Sequence, residues 1–134
     1  MNDTSIIILA AGLGTRMKSK RPKVLFELCG EPMIIHILKQ AYAITNDVGV
    51  VLHYEKELIS QKIKEIFPQT KIYTQDLENF PGTAGALKNA TLSGKKVIVT
   101  CGDMPLVRST DLMRLANADA DIAMSCFEAA NPFG

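Results

Sequence analysis

The chain has 134 residues, of which 47% are hydrophobic, and its formal net charge is +1. This length suits one domain rather than two, and the hydrophobic fraction is enough to build a core, which excludes an intrinsically disordered protein. The near-zero net charge gives no reason to expect nucleic acid or an anionic membrane as a partner.

The cysteines and the apolar runs indicate the compartment. The three cysteines lie far apart in sequence, which does not form a disulfide framework and is typical of a reducing environment. No stretch has the length of a membrane span, and the apolar run at residues 6–11 lacks the basic leader of a signal peptide. We therefore predict a cytoplasmic protein.

Apolar strands alternate with amphipathic helices along the chain. Strands are predicted at 5–10, 48–53, 71–74, 96–101 and 121–127. Helices are predicted from Pro32 to about Ile44, at 57–67, at 84–90, and at 110–116 with Ser109 as N-cap. This alternation predicts an α/β fold with a Rossmann-like, open and mostly parallel sheet that carries helices on both faces. Because the chain stops soon after the fifth predicted strand, we expect an incomplete domain.

A glycine-containing bend follows the first predicted strand. Gly12 and Gly14 let backbone N–H groups approach an anion closely, and Arg16 and Lys23 add positive charge suited to phosphate. No acidic residue occurs from position 4 to position 26. Taken alone, the bend is equally well explained as a tight turn between a strand and a helix. Met17 stands where a dinucleotide-binding motif would have its third glycine, which disfavours an NAD-binding oxidoreductase.

The longer string is more specific. Leu-Ala-Ala-Gly-x-Gly-Thr-Arg-Met at residues 9–17, followed after four residues by Pro22-Lys23, resembles the signature of the sugar-1-phosphate nucleotidyltransferases. Within that family, the chain is similar to the uridyltransferases that use N-acetylglucosamine-1-phosphate. The similarity extends from end to end, through residues 22–25, 30–34, Gln75, Gly82-Thr83, 102–106 and 131–134.

The resemblance implies a role for each matching residue. The nucleotide would be held by residues of the bend, namely Leu9, Ala10, Ala11, Gly12, Gly14 and Thr15. Arg16 and Lys23 would contact the triphosphate and stabilise charge as pyrophosphate leaves. Gln75, Gly82 and Thr83 would bind the uracil, Gly102 would contact substrate, and Asp103 would bind Mg²⁺. These roles suit nucleotidyl transfer, which depends on positioning and charge stabilisation; the sugar phosphate is already an anionic nucleophile and requires no general base.

The sequence also departs from the family pattern. Leu13 replaces a basic residue, the loop from Gln75 to Gly82 is two residues longer, and Ala84-Gly85-Ala86 stands where Gly-His-Ala is usual. The resemblance further implies a sugar pocket, an Asn-type second Mg²⁺ ligand and a C-terminal acetyltransferase β-helix through which the full-length protein forms a homotrimer. Because this chain lacks those parts, we expect it to be inactive by itself.

Other functions remain open at this point. A cytidylyltransferase of isoprenoid synthesis begins with a similar bend, although the Gly-Thr-Arg-Met and Gly-Thr-Ala-Gly stretches argue against it. A nucleotide-binding module without turnover is a second alternative, although it would need fewer of Arg16, Lys23 and Asp103. His36 and His53 have no partner at metal-ligand spacing, and we interpret them as structural. Cys101 directly precedes Gly102-Asp103, and we interpret it as a small buried residue near the site and not as a nucleophile.

Overall fold

The computed structural model describes residues 3–12 and 21–125. Its main sheet contains β1 (Thr4–Leu9), β4 (Val48–Leu52), β5 (Lys71–Thr74) and β6 (Lys96–Cys101). All three pairings are parallel, and the strands lie in the order β5-β4-β1-β6. β1 and β4, at the centre of the sheet, are almost entirely buried, as expected for parallel strands covered on both faces.

Three helices pack on one face of the sheet: α1 (Met33–Tyr42), α2 (Lys56–Ile66) and α4 (Ser109–Ala116). Their apolar sides meet the strand residues that alternate toward this face, such as Ile6, Ile8 and Val50. The opposite face is covered in part by the short helix α3 (Gly82–Ala86) and the turn after it, which pack on Ile7 and Val51. The predicted fold class, a mostly parallel sheet with helices on both faces, is confirmed.

The structure contains a small hairpin between β1 and α1 that was not predicted from the sequence. After a 3₁₀ turn (Lys23–Leu25), strands β2 (Glu27–Leu28) and β3 (Glu31–Pro32) pair antiparallel around the two-residue turn Cys29-Gly30. Both turn residues have positive φ, 53° and 82°, which is the backbone that a tight hairpin turn requires. Cysteine is unusual at such a position, so the sequence carried only a weak turn signal. Pro32 consequently belongs to β3 and caps α1 instead of lying in its first turn.

Two further predictions need correction. Ser109 is the first residue of α4 and not its N-cap, because its N–H donates to Gln40 Oε1 at 2.8 Å while Asp111 accepts from the N–H of the actual cap, Arg108, at 3.0 Å. The fifth strand was predicted at 121–127, but residues 121–125 are not a strand and are exposed. Strand propensity becomes structure only beside a neighbouring strand, and no strand of the described residues pairs with this segment. Residues 126 and 127 lie outside the described residues.

Candidate active site

The carboxyl ends of the parallel strands form one edge of the sheet, and the predicted site residues follow these ends. The chain runs outward from β1 to β4 and β5 and then returns to place β6 on the other side of β1. The strand order therefore reverses between β1 and β6, and in open α/β sheets ligands bind beyond such a reversal. The residues predicted to bind phosphate and metal follow these two strands.

Lys23 and Asp103 meet at this reversal, although 80 positions separate them in sequence. Lys23 Nζ lies 3.2 Å from Asp103 Oδ2, and the two side chains are 44% and 41% exposed. An ion pair this exposed is held weakly, because water screens it. A ligand can therefore replace this ion pair. A phosphate can bind the Lys23 ammonium, and a cation can bind the Asp103 carboxylate.

The 3₁₀ turn places Lys23 at the site. The Leu25 N–H donates to the Pro22 carbonyl and the Phe26 N–H donates to the Lys23 carbonyl, each at 3.0 Å. Val24 and Leu25 are buried in the core, whereas Lys23 stays exposed. The buried neighbours anchor the turn, so the lysine is presented from a fixed backbone.

Gly102 places Asp103. Its N–H donates to the Leu9 carbonyl at 2.9 Å, which extends the ladder between β1 and β6 by one residue. A Cβ at position 102 would lie 3.0 Å from Ile34 Cδ1 and 3.2 Å from Val24 Cγ1, so there is little room for a side chain. Gly102 is buried and positions the carboxylate by close packing, while its contact with substrate stays a prediction.

A cavity of about 210 Å³ opens beside the ion pair. Its wall combines the ends of β1 and β6, the 3₁₀ turn and one residue of α2, and consists of Leu9, Ala10, Gly12, Pro22, Lys23, Val24, Ile59, Cys101 and Asp103. Three of these wall residues were not predicted as site residues: Pro22, Val24 and Ile59. The first two flank Lys23 and could have been included on that ground, but Ile59 gave no signal because it belongs to the core face of a helix.

Cys101 lines the same cavity and is half-buried. Burial, together with the negative charge of Asp103, raises the pKa of the Cys101 thiol above its ordinary value. The thiol therefore remains protonated near neutral pH, which does not favour a role as a nucleophile.

The bend after β1 can offer fewer N–H groups than its sequence suggests. The Ala10 N–H already donates to the Val51 carbonyl at 2.9 Å, which continues the sheet. The Ala10 N–H is therefore not available to an anion, whereas Gly12 is exposed and its N–H could receive one. Gly14, Thr15 and Arg16 lie outside the described residues, and their roles stay predictions.

Gln75, which follows β5, is buried and holds the loop between β5 and α3. Its Nε2 donates to the carbonyls of Phe80 at 3.1 Å and Gly82 at 2.9 Å. Both partners are acceptors only, so the side-chain NH₂ must face them. Gln75 can therefore offer a ligand its Oε1, which is an acceptor. Gly82, with φ of 82°, and Thr83 are exposed beside it.

The two groups of residues are separated by a distance that suits a nucleotide. β5, which carries Gln75, lies two strands from β1. With about 4.8 Å between neighbouring strands, the offset across the sheet is about 10 Å to the end of β1 and about 14 Å to the end of β6, which Asp103 follows. A base near Gln75 and phosphates near Lys23 and Asp103 can thus belong to one molecule lying across the strand ends.

Comparison with known proteins identifies the family. Residues 6–132 match the MobA-like NTP transferase domain. The chain belongs to this family. The NTP transferase domain therefore accounts for nearly the whole chain, and the family resemblance inferred from the sequence is confirmed.

A curated relative gives a more specific similarity for this NTP transferase domain. The bifunctional protein GlmU of Campylobacter concisus is 88% identical over 133 residues, which cover 99% of this chain and 30% of that protein. The chain therefore spans about 30% of the length of this relative.

Solved structures show the same fold at low sequence identity. A nucleotidyl transferase from Methanothermobacter superposes with a TM-score of 0.71 at 22% identity, covering 87% of this chain and 57% of that one. The protein Rv0371c of Mycobacterium tuberculosis, solved in complex with manganese, superposes with a TM-score of 0.65 at 17% identity, covering 87% and 59% respectively. At these identities the similarity supports the fold alone.

The described part of this NTP transferase domain contributes few ligands for a metal ion. Residues 3–12 and 21–125 contain no group of three or more histidine, cysteine or acidic side chains suited to a metal ion. Asp103 is an exposed carboxylate at the mouth of the cavity. Mg²⁺ is commonly held by one or two carboxylates together with phosphates and water, so this donor fits a magnesium ion that arrives with a nucleotide.

Among residues 3–12 and 21–125, no helix has the length and apolar character needed to cross a bilayer.

Proposed function

We propose that this chain is the nucleotide-binding part of an enzyme that transfers a uridylyl group from UTP to N-acetylglucosamine-1-phosphate. The products would be UDP-N-acetylglucosamine and pyrophosphate. The observation that carries the proposal is the meeting of Lys23 and Asp103, 3.2 Å apart, at the point where the strand order reverses. Membership of the NTP transferase family and the 88% identical relative support the class of reaction.

The proposed reaction joins two polyanions, and the site is arranged to oppose their repulsion. An oxygen of the sugar phosphate attacks the α-phosphorus of UTP, and the bond from that phosphorus to the bridging oxygen of the β-phosphate breaks. The attacking oxygen is already ionised, so a general base is not needed. Lys23, and by resemblance Arg16, would stabilise charge on the leaving pyrophosphate.

Asp103 would hold the magnesium ion. Bound there, Mg²⁺ would neutralise charge on the triphosphate and fix its orientation. Lys23 would then turn from Asp103 to the phosphates, which the weak exposed ion pair permits.

Gln75, Gly82 and Thr83 would bind the uracil. The Gln75 Oε1 can accept a hydrogen bond from the N3–H of uracil, since Nε2 is directed to the Phe80 and Gly82 carbonyls. In cytosine, N3 carries no hydrogen, so it cannot donate a hydrogen bond to that oxygen. We therefore expect UTP to be preferred over CTP.

The compartment, the partners and the assembly of the full-length protein belong to the same proposal. We propose a cytoplasmic enzyme that does not require nucleic acid or a membrane, and a full-length protein that forms a homotrimer through a C-terminal domain. We also expect the 134-residue chain to be inactive by itself. Release of pyrophosphate by the isolated chain, supplied with UTP, Mg²⁺ and the sugar phosphate, would contradict this last point.

Asp103→Ala tests the proposal in the full-length protein, obtained by placing this chain in the matching segment of the 88% identical relative. We expect pyrophosphate release to fall at least about 100-fold, because charge stabilisation at a reacting phosphate is worth several kcal/mol. Asp121→Ala, at an exposed position that does not line the cavity, is the control. A non-catalytic binding module would bind UTP but show no turnover even without substitution, and turnover that survives Asp103→Ala would contradict the role of this carboxylate.

A further inference from the structure

The loop between β5 and α3 is held in one conformation by contacts that converge on Phe80. Its N–H donates to the Asp76 carbonyl at 2.8 Å, and its carbonyl accepts from Gln75 Nε2 at 3.1 Å. Lys88 Nζ lies 3.2 Å from the centre of the Phe80 ring, a cation–π contact. The residue is thus fixed through its N–H, its carbonyl and its ring.

Gly85 makes this arrangement possible. A Cβ at position 85 would lie 2.1 Å from the Phe80 oxygen and 2.5 Å from the Phe80 carbonyl carbon. These are backbone atoms, so a side chain at position 85 could be accommodated only by moving the loop. Gly85 does not have a positive φ, and the glycine is therefore required for space and not for backbone conformation.

Two departures from the family pattern meet at this contact. The loop from Gln75 to Gly82 is longer than expected, and Gly85 stands where the pattern has a histidine. In the structure, the Phe80 carbonyl of that loop occupies the space that a side chain at position 85 would need. The loop as it stands is therefore compatible with glycine at position 85 and not with a side chain.

We propose that Gly85 is a positioning residue for base recognition. By admitting the Phe80 carbonyl, it engages Gln75 Nε2 and leaves Gln75 Oε1 to meet the base. If the carbonyl is displaced, the Gln75 amide loses one of its two partners and can turn to present either its oxygen or its NH₂. Selection between uracil and cytosine then weakens. This inference rests on the proposed function.

Gly85→Ala in the full-length protein tests the inference, with steady-state kinetics for UTP and CTP. We expect the KM for UTP to rise about 5-fold and the preference for UTP over CTP to fall by about the same factor, since one hydrogen bond is worth about 1 kcal/mol. The kcat with UTP should change much less, because Lys23 and Asp103 are untouched. A general loss of stability would not produce this split between KM and kcat.

Gly94→Ala is the matched control. Its new Cβ would also meet backbone, 2.7 Å from the Asp3 oxygen, but next to the start of β1, at the opposite end of the strand from the site. We expect it to lower stability and to leave the preference for UTP unchanged. If Gly85→Ala does not fold, Lys88→Met removes the cation over the Phe80 ring, and with it a positive charge that acts on Asp76 of the same loop, without adding bulk at position 85. It should shift the preference in the same direction by a smaller factor.

The outcomes separate the two proposals. Full preference for UTP in soluble Gly85→Ala, or in Lys88→Met when the first variant does not fold, would overturn the role of Gly85 and leave the proposed function intact. An equal shift in Gly94→Ala would also overturn it. Absence of UTP turnover in the unaltered protein would overturn the proposed function, and this inference with it.

Discussion

Lys23 and Asp103 are too exposed for their ion pair to matter much for folding. Surface pairs of this kind contribute at most about 1 kcal/mol, and both side chains here are more than 40% exposed. Their placement at the cavity is therefore better explained by ligand binding than by stability. This separation of roles can be tested at the level of one residue.

Lys23→Met should lower kcat/KM for UTP by about 100-fold or more, because one cation facing the leaving group is lost. The free energy of unfolding should fall by less than about 1 kcal/mol. The Lys39–Glu31 pair, at 2.5 Å and with side chains 46% and 36% exposed, offers a matched control, since neither residue lines the cavity. Lys39→Met should leave both kcat/KM for UTP and the free energy of unfolding nearly unchanged. A Lys23→Met enzyme that is unstable but fully active would contradict our interpretation.

Cys101 can report whether the cavity is filled. Because burial and Asp103 raise the pKa of its thiol, we expect iodoacetamide at pH 8 to modify Cys101 more slowly than the exposed Cys29. UTP with Mg²⁺ should slow the modification of Cys101 further and leave the modification of Cys29 unchanged. Mass spectrometry of the peptides follows both reactions. Equal protection of both cysteines, or of neither, would argue against a nucleotide in this cavity.

At the level of elements, Asp47 joins segments that are distant in sequence, at the edge of the sheet opposite the site. Its carboxylate accepts from Ser5 Oγ on β1, from Lys71 Nζ on β5 at 2.7 Å, and from Ser93 Oγ before β6 at 2.6 Å. Partial burial acts to raise the pKa of Asp47, but these hydrogen bonds outweigh it and hold the pKa well below its ordinary value. The carboxylate therefore stabilises the sheet in its ionised form.

Asp47→Asn should lower the free energy of unfolding at pH 7 by about 1–3 kcal/mol, the cost of losing charged hydrogen bonds at a partly buried group. In the unfolded chain an aspartate titrates near about 3.9. The folded-state pKa is lower, so the stabilisation is fully present above that value and is lost progressively as the pH falls below it. Urea unfolding at pH 7 and at pH 3 should show the two proteins converging in acid. Asp121→Asn, at an exposed position, is the control, and a difference that does not depend on pH would contradict this account.

The predictable elements were those set by local patterns. The apolar runs of β1 and β4 and the helical spacing of α1 and α2 placed these elements to within a few residues. The hairpin was missed because Cys29 takes a backbone that cysteine rarely adopts. Residues 121–125 were wrongly predicted as strand because they have the composition of a strand but, among the described residues, no neighbour to pair with.

For the molecule as a whole, the described site residues are arranged along the edge of the sheet that the carboxyl ends of the strands form. Gln75 follows β5, the glycine bend follows β1, and Asp103 follows β6, so the proposed base, phosphate and metal positions come in the order of the strands. The side chains of Val97 and Val99 on β6 are 41% and 39% exposed, which shows that α3 covers only part of its face of the sheet.

The sequence by itself determined the fold class and the candidate phosphate-binding and metal-binding residues, because hydrophobic periodicity and short motifs are local properties. Only the tertiary structure decided which of these residues meet. It brings Lys23 to Asp103 across 80 positions, directs the Gln75 NH₂ to two carbonyls, and commits the Ala10 N–H to the sheet. Each of these depends on contacts between distant segments, and no local pattern records which groups will already be paired once the strands are assembled.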